Sequence, residues 1–222
     1  MPPSSNAPCK PLALVVSAAL MLAACASTRP NKEAPPMTPD PTPASSAGQQ
    51  NAEMPKEAPS VERLLVGIES MIRTSASLED FTPERLRATL GIDIEQAKDG
   101  SGRYGAGGDI AIAWTYGIEV VPAGIPAMSP RFSFDITPAV AGETPDMATV
   151  CHPDFEQFAA RLQAMGLQRT PYHAEHGRYL HDEYRKDRLA IYVIPGAQLD
   201  PDTMTIVRTC VRSIRIEQGR SE

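Results

Sequence analysis

Asp109-Ile110-Ala111-Ile112-Ala113-Trp114-Thr115-Tyr116-Gly117-Ile118-Glu119-Val120-Val121 is the stretch that decides the fold of this 222-residue chain. Ile110, Ile112, Trp114, Tyr116, Ile118 and Val120 alternate with Asp109, Ala111, Ala113, Thr115, Gly117 and Glu119, a period of two that predicts one long strand with one face in a core. After a proline-bounded connection, Phe132, Phe134 and Ile136 repeat the pattern against Arg131, Ser133 and Asp135. No helix of crossover length separates the two segments, so they are expected to pair antiparallel. Leu189 to Ile194 is a continuous apolar run stopped by Pro195-Gly196, which reads as a buried third strand.

Around this sheet the period changes to 3.6. Ser60 stands as an N-cap before Val61, Leu64, Leu65, Ile68, Met71 and Ile72, one apolar stripe on one helix. Thr82-Pro83-Glu84 supplies a cap, a first-turn proline and an acid at the positive end of a second helix, which Gly91 ends. Pro153 opens a third, with Phe155, Phe158, Ala159, Leu162 and Met165 on one face and Gly166 at its end. In the last segment two periods compete. Ile206, Val207, Cys210, Val211 and Ile214 fit a helix, whereas their β-branched side chains favour a strand. Asp200-Pro201 with Leu199 and Met204 reads as a cap and staple, which tips the expectation to a helix. The expected fold is therefore α+β: an antiparallel sheet of 109–121, 132–137 and 189–194, covered on one face by three or four helices.

The N-terminal segment speaks to address. Lys10 precedes a run from Leu12 to Ala24 that is apolar except for Ser17, the layout of an export signal and too short for the roughly 20 residues of a bilayer span. It closes on Leu22-Ala23-Ala24-Cys25, which resembles the lipobox of bacterial lipoproteins. That resemblance implies cleavage after residue 24, acylation of Cys25 by chains such as palmitate, and anchoring in a bilayer. Ala26 and Ser27 lack the aspartate that retains many such proteins at the inner membrane, so it further implies the periplasmic face of the outer membrane. Residues 25–59 then read as the lipidated cysteine and a disordered tether, because Pro30, Pro35, Pro36, Pro39, Pro41, Pro43, Pro55 and Pro59 stand among small polar residues that cannot build a core. As a coil it would reach about 30 to 35 Å. Residues 60–217 are expected to form one periplasmic domain, with 218–222 a disordered tail.

Export also settles the cysteines. Cys9 leaves with the signal and Cys25 takes lipid, so Cys151 and Cys210 remain as a pair expected to bond in an oxidising compartment.

Charge and motifs exclude more than they assign. The chain carries −6 at neutral pH and −7 without Lys10, and no Lys/Arg run offers a surface for nucleic acid. Gly100-Ser101-Gly102-Arg103-Tyr104-Gly105 has the letters of a dinucleotide fingerprint, but a helix precedes it and a strand follows, the reverse of what that site needs. His173, His176 and His181 lie among Glu175, Asp182 and Glu183 without metal-ligand spacing, and Arg178, Arg185, Lys186 and Arg188 compete for the carboxylates. No nucleophile elbow occurs, and no thiol is left free for catalysis. No cofactor or metal is implied. The expectation is a non-catalytic, membrane-anchored periplasmic lipoprotein that binds a protein partner in the envelope. An immunity lipoprotein that neutralises a secreted antibacterial effector is the alternative, followed by an envelope-assembly or cell-wall-binding lipoprotein, and then a hydrolase. Candidate recognition loops are 98–108 and 172–188, the latter with Tyr172, Arg178, Tyr179 and Tyr184 as anchors of the residue types that dominate interfaces.

Overall fold

Two residues, Ile112 and Ala113, interrupt the long alternation and set the topology. Ala113 takes a left-handed φ of 63° and Ala111 pairs with Trp114, so the chain turns back on itself. In the computed structural model, which describes residues 58–219, the expected single strand is a hairpin. The strands are β1 (Glu95–Gln96), β2 (Tyr104–Ala111), β3 (Trp114–Val121), β4 (Arg131–Pro138), β5 (Thr170–His173), β6 (Tyr179–Lys186), β7 (Leu189–Leu199) and β8 (Ile206–Gln218). All pairs are antiparallel, in the order β1-β2-β3-β4-β8-β7-β6-β5. Among the described residues there are three α-helices: α1 (Val61–Thr74), α2 (Pro83–Leu90) and α3 (Phe155–Ala164). None is long and apolar enough to cross a membrane.

This corrects the expected architecture. An eight-stranded sheet dominates, rather than a three-stranded sheet under three or four helices. Three local causes account for it. The reversal at Ile112-Ala113 makes two strands of one. Residues 172–188 form most of the β5–β6 hairpin rather than a loop. The segment 206–214 is β8, because its β-branched side chains pair with β7 from Leu199↔Ile206 onward. Asp200 does cap, but it caps a turn: its Oδ1 accepts from the N–H groups of Asp202 and Thr203 at 3.0 and 2.9 Å, and Met204 then takes φ 55°. Pro195-Gly196 does not stop β7, which absorbs the proline in a register shift and runs on to Leu199. β8 includes Gln218, and the Gly219 N–H donates to the Arg188 carbonyl at 2.7 Å, so ordered pairing reaches past residue 217. The export signal, Cys25 and the tether to residue 57 lie outside the described residues.

The helices form where their caps were legible. Ser60 Oγ accepts from Arg63 N–H, Thr82 Oγ1 from Arg85 N–H, and Gly91 ends α2 at φ 66°. α3 begins two residues past Pro153, where Asp154 and Gln157 form a capping box. One face of the sheet carries the core. Its row Ile118, Phe134, Ile214, Val193 crosses four strands and packs with Leu64, Leu65, Ile68, Leu86, Leu90, Phe158 and Leu162 from the helices. The other face is polar, with Glu119 held between Arg103 at 2.7 Å and Arg131 at 3.0 Å. Topologically the chain states one plan twice, helix then antiparallel meander, and joins the two meanders through β4 and β8.

Candidate functional site

The β4–β8 ladder ends at Asp135↔Ser213, yet β4 continues to Pro138 and β8 starts back at Ile206. Beyond the last pair β8 stays on β7, and its other side meets the chain before α3 in a single bridge, Cys210 to Asp154, rather than a strand. A cleft of about 710 Å³ opens where the strands part. Trp114, Ile136, Met147, Val150 and Val211 give it an apolar lining, and Glu143, Asp146, Gln198 and Arg212 are its principal polar groups.

The walls are fixed. Trp114 Nε1 donates to the Asp146 carbonyl at 3.1 Å, and Met147 N–H donates to Gln198 Oε1 at 3.3 Å, which ties the 143–150 loop to both sides of the opening. Gly196 permits the close packing of that loop, since a Cβ there would stand 3.0 Å from Met147 Cε. Behind the cleft, Cys151 and Cys210 are bonded with their Cα atoms 5.0 Å apart, joining the loop to β8. The Asp146 carboxylate accepts from Ala148 N–H and pairs with Arg208 at 3.3 Å. The Ala148 N–H, Gln198 and Arg208 hold it below the usual carboxylate range. It is thus an ionised acceptor whose hydrogen bonds are committed to the wall of the cleft.

Exposed apolar side chains concentrate at the cleft end of the sheet. Eight large apolar side chains of the described residues are exposed, and six of them, Ile112, Val140, Leu199, Met204, Ile206 and Val207, lie at this end of the sheet. Ile112, on the β2–β3 turn, is 90% exposed. The Ala139 N–H donates to the Ala113 carbonyl at 2.9 Å, which brings the chain before Val140 beside that turn.

The four expected anchors separate. Tyr172 and Arg178 are exposed, on the edge strand β5 and on the turn after it, and neither lines the cleft. Tyr172 stacks on His181 at 4.9 Å, and His181 meets Tyr192 edge-on. Tyr179 is half-buried against Phe155. Tyr184 is fully buried, and burial pushes its phenol up to about 12, so its side chain belongs to the core. Nearby, Asp182 is wholly buried and bonded by Arg169 Nε at 2.6 Å, while the same guanidinium grips Glu156 at 2.6 and 2.9 Å. Among the described residues no group of three or more His, Cys, Asp or Glu side chains gathers to hold a metal ion.

Sequence reasoning placed Met204, Ile206 and Val207 on a helix with Leu199 stapled ahead of its cap, and so did not see them as a surface. The signal was the Asp200–Thr205 turn chemistry, which serves a hairpin as readily as a helix start. No family model, no curated protein and no solved structure matches this chain.

Proposed function

We propose that the chain is a lipid-anchored envelope protein that acts without chemistry of its own, binding a protein partner at the apolar end of its sheet. The observation that carries this reading is that six of the eight exposed large apolar side chains of the described residues lie at the cleft end of the sheet, Leu199 among them in the cleft lining itself. Exposed apolar residues scattered singly need no explanation, whereas their concentration at one end of a sheet favours an interaction site there. Asp200 and Asp202 on the same turn suit a protein partner better than a bilayer, where charge is costly. The lipobox-like Leu22–Cys25 and the proline-rich stretch that follows support lipid anchoring through a long spacer.

Photo-crosslinking from positions 112 and 204 in living cells tests the reading. The expected result is a discrete adduct that disappears when Ile206 and Val207 are changed to serine in a protein of unchanged thermal stability. Adducts that persist in that variant would overturn the assignment of the site. For the anchor, Cys25→Ala is expected to release the protein from the membrane fraction; equal partitioning of the two forms refutes lipidation.

A further inference from the structure

The parting of β4 from β8 has a local cause. Ile194 pairs with Ser213 and Pro195 with Val211, so Arg212 is an extra residue on β8, and such a bulge bends the strand that carries it. β4, paired with β3 as far as Pro138, does not follow. The cleft left between them measures about 710 Å³, several times the roughly 150 Å³ of a cavity that holds benzene. One compact side chain would leave most of it empty.

The lining gives an occupant little to bond with. Trp114 Nε1 is bonded to the Asp146 carbonyl, and the Met147 N–H to Gln198 Oε1. The Asp146 carboxylate is held by the Ala148 N–H and by Arg208. Pro138, Pro145 and Pro201 line the cleft without an N–H. The remaining polar side chains of the lining, Glu143, Thr144 and Arg212, are exposed and stand at the rim. Peptide or sugar groups brought inside would lose their hydrogen bonds to water and gain few in return, whereas a hydrocarbon chain has none to lose. Glu143 and Arg212 carry opposite charge, so the rim has no net sign to select the head of such a ligand.

We propose that the cleft is a binding site for one acyl chain of a lipid, which lies against Trp114, Ile136, Met147, Val150 and Val211. The proposal rests on the membrane-anchored reading for its supply of lipid, and it does not need the protein partner.

Trp114 is the chain's only tryptophan and lines the cleft, so it reports an occupant directly. The test titrates the full chain carrying Cys25→Ala, which has no acyl group of its own at that position, with ω-bromoundecanoate below its micelle concentration. Bromine quenches an indole only at close range, and saturable quenching is expected. Unbrominated alkanoates from octanoate to tetradecanoate are expected to displace the probe. Each added methylene should tighten binding about fourfold until the chain outgrows the cleft, where the gain stops. Dodecanol is expected to compete about as well as dodecanoate. Val211→Phe fills the cleft from the core and Ala197→Phe from an exposed position of the lining, and each is expected to weaken the probe about tenfold or more. Ile206→Ser/Val207→Ser lies outside the lining and is expected to bind as wild type. Quenching that does not saturate, a gain per methylene without a ceiling, wild-type binding by Ala197→Phe, or loss of binding in Ile206→Ser/Val207→Ser would each overturn the proposal. Absence of quenching beside an intact crosslinked adduct from position 204 would assign the cleft to the protein partner and also overturn it. Saturable quenching without that adduct supports the acyl site and refutes the partner reading alone.

Discussion

Replacing Arg169 with methionine removes the only cation bonded to Asp182 among the described residues, a carboxylate with no exposed surface. Leaving such a charge buried without its partner costs about 3 to 5 kcal/mol. The second leg of the guanidinium, to Glu156, contributes less, since that side chain is 70% exposed and such pairs are worth about 0 to 1 kcal/mol. Arg169 also lies 5.6 Å from the centre of the Phe155 ring, a contact worth about 0.5 to 1 kcal/mol. The loss expected for Arg169→Met is therefore about 4 to 6 kcal/mol, a large part of the 5 to 15 kcal/mol typical of a whole domain. Urea unfolding at neutral pH, with the slope unchanged, measures it. Adding Asp182→Leu removes the stranded charge, so Arg169→Met/Asp182→Leu is expected to recover most of the loss. A single variant less than about 1 kcal/mol below wild type would refute the reasoning, as would a double variant no more stable than the single.

Breaking the disulfide by Cys151→Ser with Cys210→Ser is expected to cost about 4 kcal/mol for a sequence separation of 59, and to lower the midpoint of thermal unfolding by about 8 to 16 °C; calorimetry with and without reductant checks it. Ala113→Gly relieves a left-handed alanine and is expected to stabilise by about 0.5 to 1 kcal/mol in the same urea assay. Hydrogen bonding from Arg169 holds the Glu156 carboxyl below its ordinary 4.5, so its stabilisation is present above that value and fades as pH falls through the lower folded one. Glu156→Gln is then expected to flatten the loss of stability between about pH 5 and pH 3, read from urea midpoints across that range.

What the sequence made legible was local. Ser60, Thr82, Pro83 and Gly91 mark helix ends because capping is a property of a few neighbouring residues: α1 begins after Ser60, and α2 begins at Pro83 and ends at Gly91. The Cys151–Cys210 pairing was reachable because only two cysteines remained. The sheet was harder. Ile112-Ala113 contains none of the Gly, Asn or Asp that usually signal a two-residue reversal, and an apolar residue at the turn preserves the alternation that hides it. Asp200 offers the same hydrogen bonds to a helix start and to a tight turn, and pairing with β7 decided between them. The cleft was invisible for a related reason. It arises where β4 and β8 stop pairing, at Asp135↔Ser213, two positions far apart in the chain, and no periodicity within either strand reports that.

The position of β8 has a consequence for how the molecule assembles. The last strand in chain order lies in the middle of the sheet, bonded to β4 on one side and β7 on the other. Before it is in place the earlier strands amount to two separate meanders, each with a long apolar face and an open inner edge. The sheet therefore cannot grow in the order of synthesis. It closes in one late, long-range step, and such non-local closure is slow. A chain held unfolded until its final strand is available avoids the stage at which those inner edges could pair with the wrong neighbour.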